Sequence, residues 1–72
     1  MSLLSEAMIF ERYGPRLDTD ALAGFLGMGR SSLLNAISAE RCPVPTYVDG
    51  ARRFADFRDV AAHLDACRER AT

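Results

Sequence analysis

The sequence predicts a mainly α fold with one small β-hairpin, in the order helix, helix, three-residue turn, helix, hairpin, helix. Three observations carry that expectation. Apolar residues recur at three- and four-residue spacing in four separate stretches. Glycine and proline cut those stretches apart at Gly14-Pro15, Gly27-Met28-Gly29 and Pro43-Val44-Pro45. Finally, Asp49-Gly50 follows a short run of strand-forming residues, the pattern of a tight hairpin. A length of 72 residues fits a single small domain spanning residues 1–72.

The first helix is expected over about 3–13. Leu3, Leu4, Ala7, Met8 and Phe10 supply its apolar stripe, and Glu6, Glu11 and Arg12 sit elsewhere on the wheel. A second helix is expected over about 19–26. Asp18 and Thr19 are both good N-caps for it, and Asp20 places negative charge in its first turn. Ala21, Leu22, Phe25 and Leu26 form its stripe, and Gly27 is placed to end it in a left-handed conformation. Met28, between two glycines, reads as a core plug.

The third helix, about 30–39, buries Leu33, Ala36 and Ile37 and turns Arg30, Ser31, Ser32, Leu34, Asn35 and Ser38 the other way. The hairpin spans about 45–55, with Thr46-Tyr47-Val48 as one strand and Ala51-Arg52-Arg53-Phe54 as its return; Tyr47 and Phe54 read as core. Asp56 caps the last helix, about 57–68, with Asp59 at its third position. Phe57, Val60, Ala61, Leu64 and Cys67 face inward there. Asp56, Asp59 and Asp65 read as a solvated acidic face, and Arg68 and Arg70 suit the C-terminal end of the dipole.

Composition narrows the function. The chain is 49% hydrophobic and 26% charged, which is globular rather than disordered. No apolar run approaches the roughly 20 residues of a membrane span, and Met1-Ser2-Leu3-Leu4 lacks the basic and apolar regions of a secretory signal. Cys42 and Cys67 form no CxxC pair, and with His63 as the one histidine they complete no zinc site, so no metal or other cofactor is expected. They read as reduced thiols in a cytoplasm, with a Cys42–Cys67 bridge open only if the last helix packs on the loop after the third. His63 reads as a helix-flank residue. There is no nucleophile–base pair and no glycine-rich phosphate loop after a strand, so an enzyme is not expected.

The formal net charge is −1, which argues against a strongly basic nucleic-acid binder. The distribution says more. Residues 28–54 hold Arg30, Arg41, Arg52 and Arg53 against Glu40 and Asp49, a net of +2, while residues 1–27 carry −2 and residues 55–72 carry −1. A basic island thus sits between acidic ends.

Ala21 to Leu33, two apolar helical stripes around a glycine turn, has the pattern of a helix-turn-helix, and the hairpin after it has the place of a wing. Leu26-Gly27-Met28-Gly29-Arg30-Ser31-Ser32, then Pro43, then Gly50-Ala51-Arg52-Arg53-Phe54, then Asp59-Val60 with Leu64 resemble the excisionase-like branch of the MerR-type winged helix-turn-helix family. Met8-Ile9-Phe10-Glu11-Arg12-Tyr13-Gly14 and Pro43-Val44-Pro45-Thr46-Tyr47 are similar to the small phage-type activators of the pyocin activator family. Together the resemblances span about residues 8–66. The family usually has Ser or Thr where Gly29 stands, a stronger cap for the third helix.

The resemblance implies a winged helix-turn-helix that binds specific double-stranded DNA in a bacterial cytoplasm, at the nucleoid, as a phage- or mobile-element-type transcriptional regulator or an excisionase-like factor. The third helix would enter the major groove. Arg30 would grip a guanine edge or a phosphate, and Asn35 would pair with adenine. Ser31 and Ser32 suit phosphate or base, or assist capping. Leu34 would meet a thymine methyl, or pack on the wing or on a partner subunit. Arg52 and Arg53 would reach the backbone or a minor groove, or blunt a strand edge. So few cations imply weak binding by one copy, hence a homodimer or a cooperative array on DNA, with the first helix as contact surface through Leu3, Leu4, Ile9 and Phe10. No membrane and no small-molecule ligand is expected. The competing reading keeps the fold and drops the DNA: a protein–protein interaction module such as an antirepressor or adaptor, which the negative net charge favours.

Overall fold

In the computed structural model, which describes residues 3–71, four helices combine with a three-stranded antiparallel sheet. The chain runs α1 (Leu3–Tyr13), β1 (Arg16–Asp18), α2 (Thr19–Leu26), α3 (Arg30–Ser38), β2 (Tyr47–Asp49), β3 (Arg52–Asp56) and α4 (Phe57–Ala71). The signal-peptide reading rests partly on Met1 and Ser2, which lie outside the described residues.

The caps are made by the residues whose chemistry suits them. Asp18 starts α2, its Oδ1 accepting the Ala21 N–H at 2.9 Å. Asp56 starts α4, its Oδ1 accepting the Arg58 N–H at 2.8 Å. Gly27 ends α2 at φ 71°, ψ 29°, with the Met28 N–H returning to the Ala23 carbonyl at 2.9 Å, and only glycine enters this left-handed region without a Cβ penalty. The end of α3 closes in a similar way, the Arg41 N–H reaching the Ala36 carbonyl at 2.7 Å, but the left-handed position is held by Glu40 at φ 56°. Gly29 opens α3 in extended backbone and offers no side-chain cap.

The strand order β1-β3-β2 puts β3 in the middle. Leu17 pairs with Ala55 on one side, and Tyr47 pairs with Phe54 on the other. Alternation along β3 then sorts its side chains. Ala55 joins Leu17 in the core with Leu22, Leu33, Val44, Val60 and Ala61. Phe54 faces away with Arg16 and Tyr47. It is nonetheless buried, because the Arg16 guanidinium lies 3.7 Å from its ring centroid.

The structure corrects the sequence reading at several points. The Gly14–Asp18 stretch, expected as a helix stop and a cap, also contains β1. It forms because β3 has an open edge there and Leu17 fills the core. The expected inward stripe of α1 points out: Leu3, Leu4, Met8 and Phe10 are 83, 67, 56 and 49% exposed, Ala7 is exposed too, and Ser5 and Ile9 are the buried pair. The cause is α4, on which α1 packs. The Ser5 hydroxyl donates to Asp65 Oδ1 at 2.6 Å and Ile9 enters the core, which fixes the rotation of the helix. Asp65 is accordingly part of a helix–helix contact rather than of a solvated face.

Tyr47 is 43% exposed instead of core, and Val44, between the two prolines, is a core residue that the helix-breaking reading passed over. Ala23 likewise joins Leu22 in the core. The boundaries also move: α4 continues to Ala71, α3 ends at Ser38, and the paired hairpin covers 47–56 with its tip at Gly50. Met28 and Ile37 pack against the core from partly buried positions, and both cysteines are free thiols.

Candidate functional site

The N-terminal ends of α2 and α3 and the β2–β3 hairpin meet at a groove of about 220 Å³. Asp18, Thr19 and Asp20 line it from the start of α2, Arg30 and Leu34 from α3, and Ala51, Arg52 and Arg53 from the hairpin. Across the three-residue turn Gly27-Met28-Gly29, the Arg30 side chain at the start of α3 comes within 3.6 Å of Asp20 in the first turn of α2. Leu33 and Ala36 anchor α3 from beneath. That leaves Arg30 and Leu34 on the edge facing the hairpin.

Four of the seven residues singled out in the sequence are therefore gathered in one place: Arg30, Leu34, Arg52 and Arg53. Ser31, Ser32 and Asn35 are exposed on α3 but do not line the groove. Leu34 is 41% exposed, so its methyl groups are presented to solvent at the groove wall.

The electrostatics are those of paired charges. Arg52 Nη2 donates to Asp18 Oδ2 at 2.8 Å, and Arg30 Nε stands 3.6 Å from Asp20 Oδ1. Arg53 is half-buried and donates from Nη1 to Thr46 Oγ1 at 2.9 Å. The groove thus holds three guanidiniums against two carboxylates. Asp18 is doubly used, because one oxygen caps α2 while the other holds the hairpin's Arg52. The sequence shows Asp18 and Asp20 as helix-start residues. That they also oppose Arg52 and Arg30 depends on a fold that brings distant segments together, and no local signal carries it.

Beside the groove, Arg16 crosses the outer face of the sheet and donates from Nη1 to Asp49 Oδ2 at 2.6 Å. The hydrogen bond to Asp49, with a second to Tyr47, holds its guanidinium pKa above the ordinary value. This clamp ties β1 to the hairpin.

A second, shallower depression of about 640 Å³ lies between Pro43, Pro45 and the outer side of α4. Near it, Cys67 Sγ is 3.5 Å from His63 Nε2 and accepts from Arg70 Nη2 at 3.4 Å. Among the described residues, no three His, Cys, Asp or Glu side chains are grouped so as to hold a metal ion, and no helix is long and apolar enough to cross a membrane.

Compared with known proteins, the chain matches no family model, no curated protein and no solved structure.

Proposed function

We propose that the chain is a winged helix-turn-helix domain that binds specific double-stranded DNA, as a small regulator or excisionase-like factor of the phage or mobile-element kind. In this reading α3 enters the major groove and the β2–β3 hairpin lies on the backbone or in the adjacent minor groove. The observation that carries it is the convergence of Arg30, Leu34, Arg52 and Arg53 on one groove between α3 and the hairpin.

The chemistry follows from that placement. Ser31 and Asn35 project from the outward side of α3, where a base edge would meet them. Arg30 stands at the helix start, the end that reaches bases in helix-turn-helix docking. Arg52 and Arg53 bring donors suited to phosphate. Asp18 and Asp20 would then be exchanged for phosphates when DNA arrives, since each holds an arginine that the duplex competes for.

The test is fluorescence anisotropy on a labelled duplex across a salt series, for wild type and for Arg30→Ala with Arg52→Ala. Binding that weakens steeply with salt, with a flatter slope in the variant, is the expected result. No binding at low salt by the folded protein would overturn the reading. The interaction-module alternative draws on the same ion pairs, which leave the groove only slightly positive. Charge reversal at Arg30 and Arg52 separates the two, because it abolishes DNA binding and leaves an adaptor largely intact.

A further inference from the structure

We propose that α1 is a self-association element, pairing antiparallel with α1 of a second copy of this chain about a two-fold axis. The starting point is that α1 is amphipathic with its apolar face outward. Its buried side is Ser5, Ile9 and the partly buried Tyr13, and its solvent side carries Leu3, Leu4, Ala7, Met8 and Phe10. Packing on α4 fixes this orientation, through Ser5 and Asp65 and through the Phe10 ring, edge-on to Phe57 at 5.1 Å. A contiguous apolar face of this kind on a small domain marks a contact surface.

The spacing says what kind of contact. Leu3, Ala7 and Phe10 follow one another by four and three residues, as do Leu4, Met8 and Glu11. Those are the steps of a seam between paired helices. An antiparallel pair centred between residues 7 and 8 sets the small Ala7 against the large Met8 of the other copy, twice by symmetry. It also explains Glu11, the charged residue on this face. Near the C-terminal end of α1 its carboxylate is misplaced for its own dipole, but antiparallel pairing brings it beside the positive N-terminal end of the other helix. Charge and shape are thus complementary to the same surface inverted, which commits the occupant to a second copy.

The area sets the strength. Four large side chains burying on the order of 100 Å² each give about 800 Å² over both copies, below the roughly 1,200 Å² at which stable interfaces begin. The dimer is therefore weak and concentration-dependent. The groove residues lie on α2, α3 and the hairpin, so this pairing leaves them free.

Sedimentation equilibrium without DNA, from about 10 μM to about 1 mM, tests the pairing separately from the DNA reading. Wild type is expected to show a monomer–dimer equilibrium. Leu4→Glu with Met8→Glu should weaken it about tenfold or more while leaving the circular dichroism of the monomer unchanged, since both side chains are exposed. Glu11→Lys should weaken it too, which undirected apolar sticking would not produce. A wild type that stays monomeric to about 1 mM overturns the proposal. So does a dimer that survives the double substitution, or one that Glu11→Lys leaves unchanged or tightens.

Discussion

Under the DNA-binding function proposed above, replacing Asp20 by Asn should raise affinity for DNA and lower stability in the same molecule. Asp20 Oδ1 stands 3.6 Å from Arg30 Nε, and the two side chains are 72 and 64% exposed. Two unit charges at about 4 Å attract by about 1 kcal/mol in water, and exposed pairs deliver about 1 kcal/mol at most once side-chain ordering is subtracted. Removing the carboxylate spares Arg30 that cost when it turns to the duplex, a gain of about two- to fivefold in affinity. On the other side, Asp20 lies in the first turn of α2, where a negative charge stabilises the helix by about 0.3–1 kcal/mol. Both effects are screened, so both should shrink as salt rises past about 0.1 M. Anisotropy titrations at two ionic strengths read the first, and thermal unfolding without DNA reads the second. Affinity that falls or stays level at low salt while stability drops would refute the view that Asp20 competes with DNA for Arg30.

Three further outcomes follow from local geometry. Gly24 sits inside α2 with open space where a Cβ would go, so Gly24→Ala should stabilise by about 0.5–1 kcal/mol, read as a higher unfolding temperature. Glu40 holds a left-handed φ of 56° that costs a side-chain-bearing residue about 1–2 kcal/mol; Glu40→Gly should return about half of that after the added freedom of the unfolded chain, measured by urea titration. The Arg58 guanidinium, bonded through Nε and Nη2, holds the Asp56 carboxyl below its ordinary pKa of 3.8. Its stabilisation is thus complete above that value and is lost as pH falls through the lower folded one. Asp56→Asn keeps a competent cap and should flatten the acid limb of a stability-against-pH profile; an unchanged limb would count against the pairing.

Element positions were largely legible because their signals are local. The spans 3–13 and 19–26 agree with the periodicity and with Asp18 and Gly27 at their ends. The inward stripes of α3 and α4 hold, with Leu33, Ala36, Val60 and Ala61 buried, whereas the covered side of α1 does not follow from its own sequence. An apolar stripe on α1 was visible, but its direction depends on Ser5 meeting Asp65, sixty residues on. The strand β1, Arg-Leu-Asp, has no strand composition and exists because β3 offers a free edge. The candidate groove was half legible. Arginines on α3 and on the hairpin stand out as a local cluster of charge, whereas of the acids opposing them Asp18 reads as a cap and Asp20 as a first-turn charge.

The central place of β3 has a consequence for how this chain tolerates insertions and deletions. A one-residue slip within Arg52–Asp56 would exchange the two faces of the strand, turning Phe54 and its neighbouring charges toward the core and pushing Ala55 out. Change in length is thus closed off along the strand and open at the tip, where Gly50 and Ala51 are exposed. A lineage can lengthen or shorten the hairpin arm there while every core partner keeps its register, so reach and fold can diverge at separate rates.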